Sequence, residues 1–151
     1  MGNTLNPDFS EFLQALNSTE VEYILVGGYA VIFHGYNRTT GDLDVWVNPT
    51  KENYRKLKKA FSLFGMSLFD MTEQRFLQTE NYDVFTFGRP PVCIEILTAV
   101  KGLVFETAYK NSSLRNFDSI PVQMIDFRDL ITAKKSANRS KDKDDIEHLE
   151  N

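Results

Sequence analysis

The sequence is poor in several things at once. Its single cysteine, Cys93, allows no disulfide within the chain, and a reducing compartment, the cytoplasm, fits best. No apolar run approaches the roughly 18 residues that cross a membrane, so no membrane partner is expected. The start, MGNTLNPDFSEFLQ, lacks a basic region followed by an apolar one and does not read as a secretory signal. Repeats, low-complexity tracts and Pro/Gly-rich linkers are missing, which predicts one domain over 1–151. An excess of basic charge is missing too. The net charge of −4 argues against broad nucleic-acid binding, although Lys and Arg cluster at 51–59 (KENYRKLKK) and at 134–143 (KKSANRSKDK).

What is present is a core-forming chain. Hydrophobic residues make up 42% of it, with 12 phenylalanines, enough for a core without covalent staples. Phe9, Phe12, Leu13 and Leu16 form one helical stripe, which predicts a first helix capped by Asp8 or Ser10 and running to about Asn17. EYILV (22–26) reads as a buried strand, broken by Gly27 and Gly28. YAVIFHG then reads as a short helix closed by Gly35. LDVWV (43–47) is a second strand, and Asn48-Pro49-Thr50 turns and caps a helix over 51–63. Leu57, Ala60, Phe61 and Phe64 supply that helix's inner face. A short helix over 72–78 and strands at 83–88, 92–97 and 120–125 follow, the Pro90-Pro91 corner separating two of them. Helices from Asp126 or Phe127 to about Asn138, and from a Ser140 cap onward, complete the chain. The fold class is α/β (α+β): a mixed β-sheet with helices packed on it and a C-terminal helix pair.

The chemistry concentrates between Val26 and Val47, VGGYAVIFHGYNRTTGDLDVWV. Side chains two apart on a strand share a face, so Asp42 and Asp44 project together. Adjacent carboxylates repel each other unless a cation lies between them, and oxygen-rich sites suit Mg²⁺ with substrate phosphates. A third carboxylate is expected on a neighbouring strand. Glu95, inside apolar VCIEIL, is the first candidate, and Asp83 is its rival. Gly27 and Gly28 at a strand-to-helix junction let backbone approach a phosphate, and the helix start favours an anion. Arg38 precedes the acidic pair and can bind phosphate bidentately, or serve only in a surface ion pair. His34 reads as a helix-end residue and Cys93 as an inert buried thiol.

GGYAVIFHG…RTTGDLDVWV followed by IEIL resembles the nucleotidyltransferase superfamily that includes polymerase beta. The tail LITAKKSANRSKDKDDIEHL resembles the minimal, toxin-related branch, the abortive-infection type IV toxins and their relatives. Two positions depart from the pattern: Gly28 stands where many members carry Ser, and Glu95 where many carry Asp. The resemblance implies a metal-dependent transfer of a nucleoside monophosphate from a nucleoside triphosphate to an acceptor hydroxyl, with pyrophosphate released. It implies Asp42, Asp44 and Glu95 as catalytic and metal-holding residues, with Mg²⁺ or Mn²⁺ and two ions when the nucleotide is bound. Gly27, Gly28, Arg38, Thr40 and Lys134 fall to nucleotide binding. Lys134 follows Ala133, beside the packed face of its helix, and is expected to reach the rim of the cleft along its stem; Arg139 or Lys141 would help. The acceptor is open: a tRNA end, a protein side chain or a small molecule. A partner protein or a second copy of the chain is a further expected partner. Two other readings are a nucleotide-binding or partner-binding module of the same fold without activity, and a nuclease or phosphatase using the same carboxylates.

Overall fold

A computed structural model describes residues 5–89 and 92–151; the Pro90-Pro91 corner lies outside the described residues. The element order is α1 (Pro7–Ser18), β1 (Tyr23–Val26), α2 (Gly27–Phe33), β2 (Asp42–Val47), α3 (Lys51–Phe64), α4 (Glu73–Leu77), β3 (Val84–Arg89), β4 (Val92–Leu97), α5 (Phe105–Asn111), β5 (Ser113–Phe117), β6 (Ile120–Met124), α6 (Phe127–Ala137) and α7 (Ser140–Glu150). The strands form one mixed sheet in the order β3-β4-β2-β1-β6-β5. β2 pairs antiparallel with β1 and parallel with β4, and β1 pairs parallel with β6.

The alternation of β2 decides which face does what. Leu43, Val45 and Val47 are fully buried. Asp42, Asp44 and Trp46 point the other way, and Trp46 meets Phe105 of α5 edge-on. Phe12 of α1 meets Phe61 and Phe64 of α3, and Phe61 meets Phe87 of β3, so aromatic edges join these helices to the sheet. Each such pair contributes about 0.5–1.5 kcal/mol beyond its buried area.

Three expectations need correction. The cap of α1 is Asn6, whose side chain accepts from the Asp8 N–H, with Pro7 at the first helical position; proline fits there because that N–H has no helical partner. Ser140 does not cap α7 but is its first residue, and Asp142 reaches back to the Arg139 N–H at 3.1 Å. α2 begins at Gly27 itself. Two elements carried no sequence signal. β5 exposes four of its five residues, and it is a strand because it pairs with β6. Asp118 and Ser119 join the two with φ of 54° and 71°, the left-handed pair that a two-residue hairpin needs. Asp118 also accepts from the Leu5 N–H. The other unforeseen element is α5, a seven-residue helix without a side-chain cap.

Candidate active site

The site begins with strand register. Asp44 of β2 lies opposite Glu95 of β4, and Asp42 lies opposite Cys93. Asp44 and Glu95 therefore share a face and are hydrogen-bonded through their side chains. The Oδ1 atom of Asp44 is buried with no hydrogen-bond partner among the described residues. Burial, then the Glu95 hydrogen bond, then the charges of Glu95 and Asp42 push the Asp44 carboxyl up to about 7, while Lys141 pulls it down. Asp44 therefore holds a proton close to neutrality, beside the neighbouring acids that raise it.

The glycines explain how the strand end fits beneath this pair. Gly27 has φ of +73°, and a side-chain carbon there would run into the Asp44 carboxylate. The close approach that Gly27 permits is thus to Asp44, directly above the end of β1. At Gly28 a side-chain carbon would fall 2.5 Å from Oγ1 and 2.8 Å from Cβ of Thr40. The space that a serine at position 28 would take is filled by Thr40, whose Oγ1 also accepts from the Asp42 N–H at 3.5 Å.

The basic residues divide into bound and available. Lys134 lines the cleft, with its ammonium paired to two carboxylates. It is 7% exposed, and its ammonium lies 3.1 Å from Asp142 Oδ1 and 2.9 Å from Asp145 Oδ2. Both partners sit on the next helix, α7. Arg38 donates from Nε and Nη2 to the two oxygens of Asp145, at 2.9 and 3.0 Å. Arg139 donates from Nε to Asp142 at 2.6 Å yet keeps most of its side chain exposed. Burial works against the charged form of Asp142, but hydrogen bonds from Arg139 and Lys134 outweigh it and hold the carboxyl at about 2. The fields of Asp44 and Glu95 reach Arg139 as well.

A cleft of about 440 Å³ opens over these groups. Gly27, Asp42, Asp44, Glu95 and Lys134 line it; Gly28, Arg38 and Thr40 do not. Asp83, the rival carboxylate, lines its mouth but is exposed. His34 is turned away, its Nε2 2.8 Å from the Ile125 carbonyl, and Cys93 is buried. The sequence did not single out Lys101, which lies exposed on the cleft wall beside Gly102. Only the signal of Gly102 was available: its φ is +90°, and a side-chain carbon there would collide with Ser136 of α6. The acids on the floor and Lys101, Arg139 and Lys141 above them suit an anion bridged by a cation. Among the described residues, no three His, Cys, Asp or Glu side chains form a ready-made metal cage.

Two solved structures share this architecture. One is the lincomycin-bound lincosamide antibiotic adenylyltransferase LnuA: TM-score 0.58 and 15% identity, over 99% of this chain and 98% of that one. The other is a candidate nucleotidyltransferase from Thermotoga maritima: TM-score 0.56 and 10% identity, over 92% and 88% of the two chains. No protein-family model and no curated protein matches the sequence. The chain has the nucleotidyltransferase fold.

Proposed function

We propose that this chain is a metal-dependent nucleotidyltransferase, moving a nucleoside monophosphate from a nucleoside triphosphate to an acceptor hydroxyl and releasing pyrophosphate. The observation that carries this reading is Asp44. Its carboxyl is hydrogen-bonded to a second one across parallel strands, is raised to about 7, and keeps one buried oxygen without a partner. A buried oxygen left so is costly, and a cation is the partner that would relieve it. A closed cage is not required, because Mg²⁺ takes one or two carboxylates and completes its shell with phosphate and water. Asp42, Asp44 and Glu95 would hold Mg²⁺ or Mn²⁺, two ions with the triphosphate in place, and bound ions would neutralise phosphate charge and lower the acceptor's pKa.

The chain's own groups account for the rest of the work. Arg139 and Lys141 line the cleft as cations and would bind the triphosphate. Gly27 exposes backbone where a side chain would block the approach to Asp44. Glu95 stands one strand further from Gly27 than Asp44 does. On our reading Glu95 would serve the acceptor side; Asp83 and Lys101 also line the cleft. Arg38, Gly28 and Thr40 lie outside the cleft lining and would support the site from behind, and Lys134 lines the cleft with its charge already paired to Asp142 and Asp145. Nucleotidyl transfer is also the activity of LnuA, whose crystal structure holds lincomycin. A small hydroxylated molecule is therefore the first acceptor class to try, ahead of a tRNA end or a protein side chain. Membership of the toxin-related branch, with a partner protein or a second copy in the cytoplasm, rests on the C-terminal motif and the single cysteine. The lack of a preassembled cage keeps a second reading, a nucleotide-binding module without turnover.

Incubation with α-labelled nucleoside triphosphates, Mg²⁺ or Mn²⁺, and in turn hydroxylated antibiotics, total RNA and cell lysate tests the proposal. Transfer of label that disappears in Asp44→Asn supports it. Binding of nucleotide without label transfer or pyrophosphate would establish the second reading instead.

A further inference from the structure

The last helix is attached in an unusual way. The buried residues of α7 are Asp142 and Asp145, while Ile146 and Leu149 are only half-buried. Its hold on the fold is therefore mainly polar. Asp145 is 2% exposed and makes contacts in two directions. One oxygen takes the Arg38 Nε, and the other takes both Arg38 Nη2 and the Lys134 ammonium. Arg38 belongs to the loop that leads into Asp42, and Lys134 belongs to α6. The same loop is tied to α7 twice more. The Tyr36 hydroxyl donates to Asp144 at 2.8 Å, and the Tyr36 ring stacks on His148 with centroids 3.9 Å apart and planes 1° apart.

Each end of this zipper leads to the cleft. The loop continues from Arg38 to Thr40, which packs on Gly28 and accepts from the Asp42 N–H. Helix α7 begins at Ser140, directly after Arg139 and directly before Lys141, the two cations over the acids. A displacement of α7 would thus move the basic wall and release the loop beneath Asp42.

From these contacts we infer that Asp145 is a positioning residue. It registers the cationic wall, Arg139 and Lys141, against the acidic floor, Asp42 and Asp44, by holding Arg38 and Lys134 at once. This rests on the proposed reading of the cleft as a nucleotide site, but the mechanical link stands on its own contacts. Asp145 is outside the cleft lining, so it acts through its partners and not by touching substrate.

The test uses the full chain. In Asp145→Asn, amide hydrogen exchange should accelerate in two segments far apart in sequence, 36–41 and 139–145, while β1, β2 and β4 keep wild-type rates. Arg38→Gln should reproduce the change at 36–41, which keeps the inference testable if the first variant does not fold. Affinity for ATP with Mg²⁺, read by calorimetry, should fall about tenfold in either variant, the scale seen when a supporting partner of a site is removed. The double variant should be no worse than the weaker single one, because both break one link. Faster exchange confined to α7, or ATP affinities that add in the double variant, overturns the inference. Failure of the wild type to bind any nucleotide would instead overturn the reading of the cleft, and the paired exchange of 36–41 and 139–145 would still decide the link.

Discussion

Asp44 and Asp142 are the same residue type, both enclosed and both within one cleft, and they shift in opposite directions. Asp44 is raised to about 7 and Asp142 is lowered to about 2. Asp44 faces two other acids and keeps an oxygen without a partner. Asp142 is surrounded by Arg139 and Lys134. Burial opposes the charge in both cases, so the neighbours decide. A completed charge network acts as scaffold, whereas an incomplete one is poised for a ligand. The cleft is the boundary between the two.

The strongest way to break the contrast is to unpair the scaffold. Lys134→Ala leaves Asp142 and Asp145 short of a buried cation, and it should destabilise the fold by about 3–5 kcal/mol in chemical denaturation. The exposed neighbour should not: Lys135→Ala should change stability by less than about 0.5 kcal/mol. Equal losses in the two variants would remove Lys134 from the scaffold.

Gly27→Ala comes next. It imposes a left-handed backbone on alanine and drives a methyl into Asp44. A cost of about 1–3 kcal/mol is expected from the strain alone, with Mn²⁺ binding lost. Retained Mn²⁺ binding would show that the Asp44 carboxylate can move aside.

Asp44→Asn should do the opposite to stability. The folded pKa of Asp44 lies above its unfolded value of 3.8, so the folded state binds the extra proton, and stability falls as pH rises from about 4 to about 7. Removing that charge should stabilise the fold by about 1–3 kcal/mol above pH 7, with little effect near pH 4. Asp142 has the reverse sign: its contribution is present above about pH 4 and fades as pH falls towards 2. Melting curves from pH 3 to 8 resolve the two limbs, and a flat wild-type profile between pH 4 and 7 would contradict the Asp44 assignment.

The smallest effect sharpens the same point. Mn²⁺ bound at Asp44 would displace the proton held there, so its affinity should weaken by up to about tenfold for each pH unit below 7 and level off above it. Titration by electron paramagnetic resonance checks the slope. Asp83→Asn, at the exposed mouth, should leave that slope unchanged.

Elements whose side chains alternate or repeat with one face buried were readable from their residues alone. β1, β2, β4, α3 and α6 fall close to the expected bounds because burial imposes a period on sequence. β5 could not be read this way. Four of its five residues face solvent, so only the pairing with β6 makes it a strand. The caps moved by a few residues because several Asn, Asp and Ser side chains compete at each helix start.

The site shows the same division. Asp42 and Asp44 were tied to one face by the covalent geometry of a strand, and Glu95 stood out because a charge within an apolar run needs a reason. Those are local facts, and the sequence by itself determined them. Parallel pairing of β2 with β4 set Asp44 opposite Glu95, which no spacing of 51 residues could fix. The destinations of Lys134 and Arg38 were likewise decided only by the tertiary structure. Each can meet phosphate or carboxylate with the same chemistry, and the choice fell to whichever anion the fold brought within about 3 Å. Periodicity is written into a chain by its own bond geometry, but electrostatic partnership depends on distances through space, and those exist only once the helices and strands have packed.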